Sequence, residues 1–284
     1  MFDKNYFLTV LNRNAEATLD MVFKNGKEVE AYTVHIADHN NGVVSALLYP
    51  DNLAKMFEEM EHDYERMYEQ IRYMLLTTSK PQVNNLTSWD FVKDKLVLGA
   101  QKKSEEQIIK QGMLDLDIYV RLILNGNMSC KVTKDHVMMW GKTENEVFEK
   151  AKENAMNLQT ATNFFAFVMD LQGIPEELAP FFGGNDPDAP TIIRYDNMPH
   201  GAGCICLTEI FNKLCEQYNT NELIVFPSSI HELVVHKKEE SITWEAATEL
   251  VSAINAETVD WDEQVVNHAY GFKKKKNQSF LFIP

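Results

Sequence analysis

An α+β fold follows from three features of this sequence. Short apolar/polar alternations are joined by Asn-Gly turns, amphipathic helical repeats lie between groups of such strands, and no internal repeat of fixed period is present. The expected architecture is an N-terminal antiparallel meander with a long helix over residues 1–90. A larger mixed α+β unit with antiparallel strands follows over residues 91–284.

Each element has its own signal. After a short helical segment, Leu19, Met21 and Phe23 alternate, Asn25-Gly26 turns the chain, and Val29, Ala31 and Thr33 alternate again. Asn40-Asn41-Gly42 turns it a second time into residues 43–49. Pro50-Asp51 starts a helix, and Leu53, Met56, Phe57, Met60, Tyr64, Met67, Tyr68 and Ile71 recur at three- and four-residue steps to about Leu76. Met56, Met60, Met67 and Met74 read as core packing in preference to an adaptable binding surface. Residues 81–90, rich in Asn, Thr and Ser, form a connector, and 91–98 a short helix or turn entering a strand.

The second unit continues with an apolar run at 113–124, a turn at Asn125-Gly126 and a strand over 128–132. Thr133 caps a short helix ended by Gly141. Thr143 and Glu146 have capping-box spacing ahead of a stripe of Val147, Phe148, Ala151 and Ala155. Residues 163–171 form another helix. The stretch 172–190, with Gly173, Gly183, Gly184 and four prolines, reads as an irregular, mobile loop suited to proteolysis or to a lid. Strands are expected at 192–195 and 204–207, then a helix capped by Thr208 and carrying Ile210, Phe211, Leu214 and Tyr218. A strand pair bends at Pro227. A helix from Trp244 to about Ala256 buries Ala247, Leu250, Val251 and Ile254, and strands at 265–272 and 279–283 flank a charged turn, Lys273–Lys276.

Bulk properties exclude several functions. Apolar residues at 45% and charged residues at 24% are those of a soluble globular protein. Forty-two acidic against 27 basic side chains leave a net charge of −15, which repels phosphate backbones and argues against nucleic acid as a partner. The N-terminus lacks the marks of a signal peptide, and no window approaches about eighteen uninterrupted apolar residues. The expectation is a cytoplasmic chain with no membrane partner. Cys130, Cys204, Cys206 and Cys215 have neither zinc-knuckle nor C-x-x-C spacing and are expected as reduced thiols.

The stretch with most chemistry is 222–237, where two apolar runs flank the elbow Pro227-Ser228-Ser229-Ile230-His231-Glu232. Ser228 or Ser229 with His231 and Glu232 supplies the residue types of a serine nucleophile, its base and an orienting acid. On an extended segment, however, His231 and Glu232 point to opposite faces, and no G-x-S-x-G turn accompanies the serines. The favoured reading is that the serines cap backbone groups at a strand bend. His35 and His39 have helical ligand spacing without the H-E-x-x-H glutamate, and Asn185, Asp186 and Asp188 resemble a calcium loop without its closing Glu. Gly201-Ala202-Gly203 lacks the third glycine and the lysine of phosphate loops. No metal or cofactor is therefore assigned.

The succession L-D-L-D-I-Y-V-R-L-I-L (114–124), W-G-K-T-E-N-E-V-F-E-K-A-K-E-N (140–154), G-A-G-C-I-C-L (201–207) and L-I-V-F-P-S-S-I-H-E-L (223–233) resembles domain-of-unknown-function family 5688, an uncharacterised family of Firmicutes proteins. V-K-D-K-L-V (92–97) and the first Asn-Gly turn share that likeness, which implies a cytoplasmic bacterial protein and carries no activity, ligand or catalytic residue. The functional expectation is a non-enzymatic protein that acts by binding another protein, in a mobile-element or phage–host setting. Two alternatives are a serine hydrolase using the Pro227–Glu232 elbow and an acidic inhibitor that mimics nucleic acid.

Overall fold

Asp3 opens the first helix. Its carboxylate accepts from the backbone N–H groups of Asn5 and Tyr6, both at 3.0 Å, and α1 runs over Lys4–Leu11. This computed structural model describes residues 1–24, 27–37, 43–77, 85–125, 128–196, 198–227, 229–276 and 278–284, and the chain divides into two units, Met1–Val83 and Asn84–Pro284. In the first unit β1 (Glu16–Lys24), β2 (Lys27–Ala37) and β3 (Val43–Leu48) form an antiparallel sheet in that order. Its turns, at 25–26 and 38–42, lie outside the described residues.

The long helix expected from Pro50 is two helices, α2 (Pro50–Glu59) and α3 (Tyr64–Thr77). Glu61 and His62 adopt left-handed backbone at φ 56° and 67°. The N–H of His62 bonds the carbonyl of Phe57 at 2.9 Å and that of Glu61 bonds Glu58, which closes α2 in a Schellman turn. Asp63 then caps α3 by accepting from Glu65 and Arg66 at 3.0 Å. The apolar stripe survives the break, since the rings of Phe57 and Tyr64 meet across it, tilted, with centroids 4.2 Å apart. Phe7, Leu11, Tyr32, Val34, Phe57, Met67 and Ile71 centre the core. Met67 is fully buried, Met56 and Met60 pack at the core's margin, and Met74 is exposed.

The second unit begins with α4 (Trp89–Val92), a 3-10 turn at Lys93–Lys95, and β4 (Leu96–Lys102). β5 (Lys110–Met113) and β6 (Leu116–Asn125) replace the single run expected at 113–124, because Leu114, at φ 53°, turns the chain between them. With β7 (Met128–Lys131) they form a sheet in which β6 pairs β4 on one side and β5 and β7 on the other. α5 (Lys134–Met139) and α6 (Glu144–Leu158) follow, the latter started by the Thr143/Glu146 capping box. α6 passes directly into β8 (Gln159–Asn163), and Asn163 caps α7 (Phe164–Leu171). A 3-10 segment, Glu176–Phe182, occupies part of the stretch expected to be wholly irregular.

β9 (Thr191–Tyr195), β10 (Glu222–Phe226), β11 (Glu232–Lys237), β12 (Tyr270–Lys273) and β13 (Phe280–Phe282) join β8 in an antiparallel sheet of order β13-β12-β10-β11-β9-β8. The remaining helices are α8 (Thr208–Gln217) and α9 (Trp244–Glu257). Residues 201–206 form a 3-10 turn that takes in most of the strand expected at 204–207. Gly201 to Ile205 are all buried, so polar/apolar alternation is lost there, and a Cβ on Gly203 would stand 2.2 Å from the Leu98 carbonyl. Tyr195 donates to that same oxygen at 2.9 Å and ties β9 to β4. Of the strand expected at 265–272 only residues 270–272 lie in β12, while the strand expected at 279–283 is β13. α9 buries Ala247, Val251 and Asn255, leaving Leu250 and Ile254 exposed. Asn255 takes the inner position because its amide donates to the Val266 carbonyl at 2.7 Å and to Asn267.

Candidate functional site

The elbow after β10 is held by its backbone on two sides. Ile230 donates to the Glu263 carbonyl at 2.8 Å and accepts from Ala202 at 3.2 Å, while Ser229 bridges Gln264. Ser229 is buried, and its hydroxyl oxygen accepts from the backbone N–H of His231 at 3.0 Å. Ser228 lies outside the described residues. Burial pushes the carboxyl of Glu232 above the usual carboxylate range, partly offset by His231 and by a hydrogen bond from Ser229. The imidazole of His231 pairs with Glu263, Nε2 to Oε1, at 3.2 Å. The Ser229 hydroxyl thus engages backbone, and the His231 ring engages Glu263. Of the candidate residues described, Ser229 meets His231 through the backbone N–H and not through the imidazole.

Beside this elbow lies His200, whose ring centroid is 5.8 Å from that of His231. Its backbone is left-handed at φ 74°, and Nδ1 is buried with no hydrogen-bond partner among the described residues. Burial, then the charges of Arg121, His231 and Lys131, push its pKa down to about 2, so the ring is neutral at pH 7. Register explains why Arg121 and Lys131 occur together. Gly99 faces Tyr119, Gln101 faces Asp117 and Arg121 faces Lys131, which lines up one polar face of the β4–β7 sheet. Lys131 bonds Glu106 at 2.7 Å and Gln101 at 2.8 Å, Lys110 bonds Asp117 at 2.7 Å, and Arg121 donates to Ser129 at 2.6 Å. Burial lowers the Lys131 pKa despite Glu106. The i, i+2 recurrence of polar residues at 117, 119 and 121 and at 129 and 131 is the sequence signal that marks this face.

The remaining candidates are accounted for locally. His35 bonds Ser45 at 2.7 Å, and His39 lies outside the described residues. Asp186 accepts from the backbone of Asp188, which itself pairs with Lys237 at 2.9 Å. Among the described residues no group of three His, Cys, Asp or Glu stands close enough to hold a metal ion. Gly201 and Gly203 serve close packing, as a Cβ on Gly201 would stand 2.5 Å from the His231 carbonyl. In the basic turn, Lys273 pairs with Glu222 and Lys274 with Glu216, at 3.7 and 2.9 Å. The four cysteines are unbridged, and burial pushes the Cys206 thiol up to about 12. No helix among the described residues is long and apolar enough to cross a membrane.

Two features of α7 and the 3-10 segment were not anticipated. Phe165, Leu171, Leu178, Phe181 and Phe182 are exposed there, Phe181 at 82% and Leu171 at 69%. Beneath them a cavity of about 250 Å³ is lined by Thr162, Ala166, Phe167, Met169, Asp170, Ile174, Ala179 and Arg194. The guanidinium of Arg194 lies 4.7 Å from the centre of the Phe167 ring.

Comparison with known proteins gives one family match. The model of a family of unknown function, DUF5688, matches residues 4–274. Neither the curated proteins nor the solved structures give a match.

Proposed function

The chain belongs to the DUF5688 family over nearly its whole length, and within that family we propose that it is a non-enzymatic protein that acts by binding another protein. The observation that carries this reading is the exposed apolar surface of α7 and the 3-10 segment after it. Five large apolar side chains between residues 165 and 182 face solvent, where isolated exposures are the rule for a monomer. Aromatic side chains at such density are the usual anchors of protein interfaces.

Charge defines the partner. No lysine, arginine or histidine occurs between Lys152 and Arg194, while Glu177 and Asp186 lie in that interval. An apolar patch with an acidic border fits an amphipathic protein segment whose apolar face is flanked by lysine or arginine. The elbow supports the same reading, because Ser229 is buried and not bonded to the His231 ring.

The test is affinity capture from the native cell with the wild-type chain and with a Phe181→Asp, Phe182→Asp double variant. The expected outcome is a stoichiometric partner held by the wild type, released as salt rises, and lost from the variant at unchanged thermal midpoint. Absence of any stable partner, or equal retention by both chains, overturns the reading.

A further inference from the structure

The cavity under α7 sets a guanidinium with an unbonded Nε, whose charge also acts on Glu232, beside a carboxylate and an apolar wall. Arg194 projects into it from β9, and its Nε is buried without a hydrogen-bond acceptor among the described residues. It forms no ion pair among the described residues, although Glu232 is its neighbour across the β9–β11 ladder. A buried guanidinium N–H left without an acceptor is costly, and a bound acceptor removes that cost. Phe167 holds the guanidinium plane at 4.7 Å, which fixes the fork that a carboxylate accepts in bidentate fashion. Asp170 lines the same cavity from α7, and the two charges are not paired with each other. Met169, Ile174 and Ala179 supply the apolar remainder.

We propose that this cavity binds a free α-amino acid with an apolar side chain, its carboxylate on Arg194 and its ammonium on Asp170. A volume of about 250 Å³ has room for a ligand the size of leucine or phenylalanine. A nucleotide needs more room than this, and a sugar more hydrogen-bonding partners than Thr162, Asp170 and Arg194 provide. The site is independent of the exposed surface assigned to partner binding, because its lining side chains are different from Leu171, Leu178, Phe181 and Phe182.

The experiment is calorimetric titration of the full chain with leucine, phenylalanine, their des-amino acids and their des-carboxy amines. Leucine or phenylalanine is expected to bind with saturation, the des-amino acids about tenfold more weakly and the amines not at all. Asp170→Asn should reduce amino-acid affinity to that of the des-amino acid and leave the latter unchanged; Arg194→Gln should abolish both. Should Arg194→Gln fail to fold, the Nε–H resonance of Arg194 in the wild type gives the same answer, since a carboxylate acceptor shifts it on titration. No heat and no shift of that resonance with any amino acid overturns the proposal, as does undiminished binding by Arg194→Gln. The Phe181→Asp, Phe182→Asp variant should bind the amino acid normally, which separates failure here from failure of the partner-binding reading.

Discussion

His200 is kept neutral by its surroundings, and that neutrality has a stability consequence. Its pKa falls from 6.5 to about 2 on folding, through burial first and then Arg121, His231 and Lys131. Between those values the unfolded chain binds the extra proton. The contribution is therefore fully present above about pH 6.5 and is lost as pH falls, by up to about 1.4 kcal/mol per unit. Glu232 acts in the opposite sense, because burial raises its pKa and favours the folded state once its carboxyl is protonated. Replacing His200 by Asn, which tolerates left-handed backbone, should flatten the decline in urea midpoint between pH 7 and pH 5. An unchanged decline would mean that the imidazole already protonates in the folded chain. The pairings around this residue were not legible in the sequence. His231 takes its carboxylate from Glu263 rather than from adjacent Glu232, and only the fold brings residue 263 to it.

The break between α2 and α3 shows why some elements are readable and others are not. The meander is announced by alternation and by Asn-Gly pairs, each carrying its own geometry. The break has no such mark, since its left-handed position is filled by Glu61 and the stripe Leu53, Phe57, Met67, Ile71 continues across it. Glu61→Gly should stabilise the first unit by about 0.5–1 kcal/mol by relieving that backbone. The lost ion pair to Arg66, 3.9 Å long and exposed, contributes little. Urea denaturation measures the difference, and a lower midpoint would refute the Schellman assignment. α9 makes the converse point. A stripe counted on Leu250 and Ile254 is rotated by Asn255, a polar residue whose hydrogen bonds make it the inner one.

For the whole molecule, the division into 1–83 and 84–284 predicts separable folding. The first unit has its own buried cluster around Phe7, Tyr32 and Met67, and the second has one built from β4, β6, α6 and the large sheet. Residues 84–284 expressed alone should therefore melt cooperatively with native near-ultraviolet dichroism. Loss of that signal would show that the units depend on each other. The α+β class was legible because alternation and helical periodicity are local properties. The Arg194 cavity was not, because an arginine gains meaning from the acceptor it lacks, and that is a property of the folded chain. The strand order has a further consequence for synthesis. β12 covers the flank of β10 opposite β11, so a nascent chain that has not yet released residues 270–273 leaves Glu222–Val225 as an open edge. On a crowded polysome such an edge invites pairing between neighbouring chains. Residues 270–273 act as the seal that closes it, and the hydroxyl of Tyr270, bonded to Asp115, latches the seal to a turn made earlier in translation.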